Sequence, residues 1–137
     1  MRVAAIFPGQ GAQSVGMLAD VENRSSIIKQ RFAEASEALS FDLWQMTQDG
    51  PAEVLGQTEN TQPALLTASV ALWDVLQSER AQPFQVDAMA GHSLGEYSAL
   101  VCAGAISFVD AVRLVRKRVE LMQQAVPIGQ GGMAAVL

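Results

Sequence analysis

The sequence predicts an α/β protein of three layers. Two observations carry this expectation. Two short apolar runs, Val3–Phe7 and Val86–Ala90, each end in a glycine-bearing turn, as parallel strands do where the chain leaves a buried sheet. The stretches between and after them repeat apolar residues every three or four positions, the period of helices that cover a sheet. The strands are expected over 2–7 and 86–91, adjacent and parallel, with both turns at one edge.

Val3-Ala4-Ala5-Ile6-Phe7 is stopped by Pro8-Gly9 and reads as a strand buried on both faces. Pro8-Gly9-Gln10-Gly11-Ala12-Gln13 is a glycine-rich turn carrying two amides. It lacks the Gly-Lys-Ser/Thr of a phosphate loop and the dinucleotide-binding glycine spacing. Its backbone and Gln10 would face whatever stands at the same sheet edge. Ile28, Phe32, Ala35 and Leu39 form one stripe of a helix over 25–39, with Lys29, Arg31, Glu34 and Glu37 outside it. Residues 41–48 read as a second short helix, ending near Gly50-Pro51. Residues 56–62 read as a polar loop, after which Pro63 suits the first turn of a helix running to about Ser78. That helix is apolar almost all round and is therefore expected within the core, with Gln62 at its entrance. Residues 79–85 form a polar connection to the second strand. Ser107-Phe108-Val109-Asp110 resembles a capping box with Asp in place of Glu, opening a helix to about Val126, where Pro127 stops it. A flexible turn follows, and Met133–Leu137 reads as the beginning of another strand.

With 137 residues, half of them hydrophobic and 17% charged, the composition is that of one globular domain with a real core. The net charge of −5 opposes nucleic acid and anionic membrane as partners. The single cysteine, Cys102, excludes an internal disulfide and a cysteine-rich metal site. Its setting in Ala99-Leu100-Val101-Cys102-Ala103 is that of a buried structural thiol. No apolar run approaches the length of a bilayer span, and the five apolar residues between Arg2 and Pro8 are too few for a signal peptide. The expected setting is the cytoplasm.

Gly91-His92-Ser93-Leu94-Gly95 is a G-x-S-x-G pentapeptide between an apolar run and a stretch of good helix formers. Strand, sharp turn and helix form the setting in which this pattern presents a nucleophilic serine. Glycines on both sides leave room for the neighbouring chain, and the helix N-terminus favours negative charge at the turn. The other reading of Ser93 is an ordinary helix N-cap. His92, the only histidine, directly precedes Ser93. Neighbouring side chains diverge on a sharp turn, so His92 reads as packing and positioning, not as the base that takes the serine proton.

At about 100° per residue, the helix over 107–126 places Asp110, Arg113, Arg116, Lys117 and Glu120 on one side. Leu114, Leu121, Ala125, Ala111, Met122, Val115, Phe108, Val119 and Val112 share the other. Arg118 falls among the second set, between Leu114 and Val115 in angle, the only charge on that arc. A buried guanidinium needs an anion. That anion is either a carboxylate of the fold, unless the side chain snorkels outward, or a substrate carboxylate held by the planar fork.

Phe7-Pro8-Gly9-Gln10-Gly11-Ala12-Gln13, Thr61-Gln62-Pro63-Ala64, Gly91–Tyr97 and Arg113–Met122 together resemble the malonyl-CoA:acyl-carrier-protein transacylases and the acyltransferase domains of fatty-acid and polyketide synthases. The similarity runs through the whole chain, with the motifs in order. It implies an α/β-hydrolase-like large subdomain with a small ferredoxin-like subdomain inserted. Residues 1–126 would be the N-terminal part of the large subdomain, and 127–137 the start of the small one, where the sequence ends. The resemblance implies Ser93 as the acylated nucleophile, Gln10 and the Leu94 backbone N–H as the oxyanion hole, and Arg118 as the clamp on the malonyl carboxylate. Gln62 matches a residue lining the same pocket, and His92 stands beside it. Malonyl-CoA is implied as substrate and acyl carrier protein as acceptor, with coenzyme A a substrate and no retained cofactor or metal. Arg113, Arg116 and Lys117 are the candidates for docking an acidic carrier. Val119 departs from the glycine that many members carry after the arginine. The family's catalytic histidine lies downstream, in a segment this sequence does not contain, so the chain alone is expected to turn over poorly. A serine esterase or thioesterase of the α/β-hydrolase type shares the serine turn but offers Arg118 no carboxylate. A polyketide-synthase domain and a non-catalytic truncation product remain the other readings.

Overall fold

The computed structural model describes residues 2–126 and 129–131. Its elements are β1 (Ala4–Phe7), α1 (Ser26–Leu39), α2 (Leu43–Asp49), α3 (Ala52–Leu55), α4 (Thr58–Ser78), β2 (Ala88–Gly91), α5 (Leu94–Cys102) and α6 (Phe108–Ala125). The strand expected over 133–137 lies outside the described residues, as does most of the expected start of the small subdomain at 127–137.

The strands are adjacent and parallel, as expected, and pair from Ala4 with Ala88 to Phe7 with Gly91. Their common start is stapled from both sides. The Val3 N–H donates to Asp87 Oδ2 at 2.7 Å, and the Asp87 N–H donates to the Val3 carbonyl at 2.8 Å. Both strands are shorter than the apolar runs that announced them. β1 was expected to be buried on both faces, but only one face is covered. Phe7 is buried, while Ile6, one residue away on the opposite face, is 80% exposed. Strand side chains alternate between faces, and the helices described here lie against the Phe7 side. Trp73 of α4 meets the Phe7 ring edge-on at 6.2 Å and the Phe84 ring at 6.3 Å, binding helix, strand and connection together.

The core sits among the helices. Ile28, Phe32 and Ala35 of α1, Leu43 of α2, Leu55 of α3 and Ala111, Val112 and Val115 of α6 close around α4. Every residue of α4 from Asn60 to Ala71 is buried, as an all-round apolar helix requires.

The start of α4 corrects the expectation of a loop over 56–62. The helix begins at Thr58 and takes Pro63 inside it. Polar residues remain buried there because each finds a partner. Thr61 Oγ1 donates to the Leu55 carbonyl at 2.6 Å, and Asn60 Nδ2 donates to the Val54 carbonyl at 2.9 Å, so both bond to the C-terminal carbonyls of α3. Pro63 has no N–H for the carbonyl of Glu59. Arg116 of α6 supplies the missing donor, with Nη1 3.2 Å from Glu59 O. α3 itself went unforeseen, being only four residues long.

On α6, Phe108, Ala111, Val112, Val115 and Val119 are buried. Leu114 and Leu121, expected on the same buried arc, are 49% and 53% exposed. Ala125 is exposed too. The buried stripe is narrower than the apolar arc and centres on Val115, which leaves Arg118 at its edge. The Ser107 cap forms as expected, accepting from the Asp110 N–H at 3.2 Å. Cys102 is half-buried against the core cluster. Burial, then the nearby Asp74 carboxylate, push its thiol up to about 12.

Candidate active site

The turn between β2 and α5 is built from close contacts that tolerate no side chain. A Cβ on Gly95 would run into the Phe7 carbonyl oxygen and stand 2.9 Å from the Pro8 oxygen, and one on Gly91 would collide with the Gly95 carbonyl. α5 can therefore begin directly on the end of β1. This approach holds Ser93 at φ 51 and ψ −106, a left-handed backbone that costs an L-residue energy. The expected strain at the serine is present.

Ser93 occupies the N-cap position of α5, yet its side chain makes no capping hydrogen bond. Its Oγ accepts instead from Arg118 Nη2 at 2.8 Å. The other arm of the fork, Nη1, donates to Gln62 Oε1 at 2.6 Å. The guanidinium also lies 5.6 Å from the centre of the Tyr97 ring, close enough for a cation–π attraction. Among the described residues Arg118 has no carboxylate partner. Its contacts are a hydroxyl, an amide and an aromatic face, all neutral.

Gln62 is 2% exposed. Its Nε2 donates toward Gln10 Oε1 at 3.5 Å, and Gln10 Nε2 donates to Thr58 Oγ1 at 3.1 Å. The turn after β1, the buried entrance of α4, the serine turn and α6 thus converge at one end of the sheet. Gln10, Gln62, Ser93 and Arg118, each singled out from the sequence, form one hydrogen-bonded chain. Thr58 closes it and was not foreseen, because it stands in the stretch read as a loop. Leu94 opens α5, so its N–H is among those a helix leaves without an internal partner. Val119 does not disturb this arrangement. It is buried in the core, and Arg118 still reaches Ser93.

His92 is exposed and packs against Gly9, where a Cβ would stand 3.1 Å from His92 Nδ1. Among the described residues no imidazole or carboxylate is hydrogen-bonded to Ser93. Two of the three basic side chains proposed for docking are occupied. Arg116 lies 3.8 Å from Glu59 and 4.0 Å from Glu120, and Lys117 lies 3.1 Å from Glu120. Arg113 is exposed, without a carboxylate partner among the described residues. There, too, no three His, Cys, Asp or Glu side chains gather to hold a metal ion, and no helix is long and apolar enough to cross a membrane.

Residues 5–137 match the acyl transferase domain family. The malonyl CoA-acyl carrier protein transacylase of Salmonella typhimurium is 61% identical over 98% of this chain, which spans 43% of that relative's length. A crystal structure of an acyl carrier protein S-malonyltransferase from Vibrio cholerae superposes with a TM-score of 0.89 at 59% identity, covering 94% of this chain and 42% of that one. A type II PKS acyl-carrier protein in complex with its malonyl-transacylase matches with a TM-score of 0.88 at 55% identity, over 93% of this chain and 40% of that one. A parallel pair of strands feeding a strained serine turn, with the family match spanning nearly the whole sequence, shows that this chain belongs to the acyl transferase domain family and has its α/β fold.

Proposed function

We propose that the protein carrying this chain transfers a malonyl group from malonyl-CoA to the phosphopantetheine thiol of an acyl carrier protein, through an ester on Ser93. The carrying observation is the placement of Arg118. In a malonyl thioester the carboxylate lies one methylene from the reacting carbonyl. A clamp for it must therefore stand beside the nucleophile, and Arg118 Nη2 is 2.8 Å from Ser93 Oγ. An arginine without a carboxylate partner among the described residues is suited to receive one from substrate. An ester without a carboxylate would leave the fork unfilled, which disfavours the esterase reading.

In the first step Ser93 Oγ attacks the thioester carbonyl, losing its proton to a base. The carbon–sulfur bond breaks, and coenzyme A leaves with a proton as the thiol. In the second, the carrier thiol attacks the Ser93 ester and the serine hydroxyl is restored. The Leu94 N–H and the backbone of Gln10 are assigned to the oxyanion, since the Gln10 side chain is engaged by Thr58 and Gln62. Gln62 holds Arg118 in register, and His92 lines the mouth of the site. The base is assigned to the family's histidine outside this sequence. Residues 1–126 would form part of the large subdomain and 127–137 the start of the small one. Arg113 is the best placed of the three basic residues to meet an acidic carrier. A coenzyme A thioester as donor suits a cytoplasmic setting, and a carrier protein as acceptor suits a step of fatty-acid synthesis.

The test is intact-mass analysis of the natural protein after exposure to malonyl-CoA. One malonyl adduct is expected, discharged by holo carrier protein and absent from Ser93→Ala. No adduct in the wild type, or one that persists in Ser93→Ala, would remove the reading.

A further inference from the structure

We propose that Thr58 is a positioning residue for Arg118, acting through the two glutamines between them. The argument rests on donors and acceptors. A guanidinium donates only, so it must meet the oxygen of the Gln62 amide, and it does so at 2.6 Å. That contact decides which way the Gln62 amide faces. Its Nε2 must point away, toward Gln10. As a donor, this nitrogen must meet the Gln10 oxygen, 3.5 Å distant. The Gln10 Nε2 is then directed outward at the surface, where its protein acceptor is Thr58 Oγ1 at 3.1 Å. A hydroxyl can accept where a methyl cannot. Thr58 thus closes a relay in which every amide has one permitted orientation.

The fold holds Thr58 in place independently of the relay. It is the first residue of α4, and its neighbours Asn60 and Thr61 bond to the carbonyls of Val54 and Leu55. Without the hydroxyl, Gln10 is free to turn its amide over. Its NH2 would then face the NH2 of Gln62, two donors with nothing between them, and the buried Gln62 would lose the partner that keeps its oxygen on Arg118. The consequence appears at Ser93, four hydrogen bonds from Thr58 along the relay.

This inference rests on the acyl-transfer reading above, and its test separates the two. Thr58→Val and Thr58→Ser are made in the natural protein. Thr58→Val should slow acylation by malonyl-CoA by about three- to tenfold, the scale of one neutral hydrogen bond. Thr58→Ser should restore the rate, and acetyl-CoA should show a smaller change than malonyl-CoA. The loss should vanish in an Arg118→Ala background, because the relay then has nothing to position. The second readout needs no turnover: the side-chain NH2 resonances of Gln62 in an amide NMR spectrum. Thr58 stands one turn before Gln62 on α4, so the isosteric pair is the control: Thr58→Val should move these resonances and Thr58→Ser should leave them in place. Unmoved Gln62 resonances in Thr58→Val overturn the proposal whatever the activity. So does a malonyl rate equal to wild type, or a loss that persists in the Arg118→Ala background. Failure of the wild type to acylate Ser93 would instead overturn the acyl-transfer reading, while the NMR result still decides the relay.

Discussion

Replacing Arg118 by alanine should erase most of the preference for malonyl over acetyl thioesters. The perturbation removes a fork with one arm 2.6 Å from Gln62 Oε1 and the other 2.8 Å from Ser93 Oγ. A hydrogen bond to a charged group contributes about 1.5–3 kcal/mol. Truncating one member of a close charge pair costs about 2–5 kcal/mol, because the other is left without its partner. A bound malonyl carboxylate would be that other member. At about 1.4 kcal/mol per tenfold, malonyl acylation should fall by a factor of roughly 30 to several thousand. Acetyl has no carboxylate and should fall far less, so the ratio of the rates carries the signal. Arg118→Lys keeps the charge but not the planar fork and should fall between the two. The assay is the rate of Ser93 acylation by each thioester, followed by intact mass. Melting curves run alongside, because the buried Gln62 oxygen loses its donor in the variant. A selectivity ratio unchanged in Arg118→Ala would sink the clamp, whatever happened to the absolute rates.

Gly95→Ala should destabilise the fold by about 1–3 kcal/mol, since the added Cβ meets backbone atoms of Phe7 and Pro8 that cannot yield like a flexible side chain; urea unfolding measures this, and wild-type stability would refute the packing argument. Arg116→Met should cost about 0.5–1.5 kcal/mol by removing the donor to the surface-exposed Glu59 carbonyl beside Pro63, and a thermal midpoint equal to wild type would show that water replaces the guanidinium at no cost. Cys102 should react slowly with thiol reagents at pH 8 in the native state and quickly once unfolded, its thiol being pushed up to about 12 by burial and by Asp74. A thiol held above its ordinary value of 9.0 contributes stability present below pH 9 and lost as pH rises toward 12; Cys102→Ala should flatten that part of the stability profile, and an identical profile would refute the linkage.

Local rules made the serine turn legible. An apolar run, a G-x-S-x-G pentapeptide and a run of helix formers specify strand, turn and helix from neighbouring residues alone, and Ser93 has the strained backbone that this pattern demands. The same holds for α1 and for the Ser107 cap, where periodicity and a side chain three residues away carry the signal. The helical wheel of α6 likewise marked Arg118 as out of place.

The failures lie where long-range partners overrule local composition. Residues 58–62 look like a loop because they are polar, yet they form the buried opening of α4. Their polarity is absorbed by the ends of α3 and by an arginine from α6, 57 positions away from Glu59 in the chain. Periodicity showed which residues of α6 are apolar, but not how many the neighbouring helices cover, and so Leu114 and Leu121 came out exposed. Neighbouring residues are enough to specify the serine turn, the polar residues around it and the family they belong to. That Gln10, Gln62, Ser93 and Arg118 meet, and that Thr58 closes their chain, follows from packing between distant elements. Their contacts span separations of 25 to 56 residues, and a hydrogen bond between residues so far apart leaves no periodic trace in the sequence.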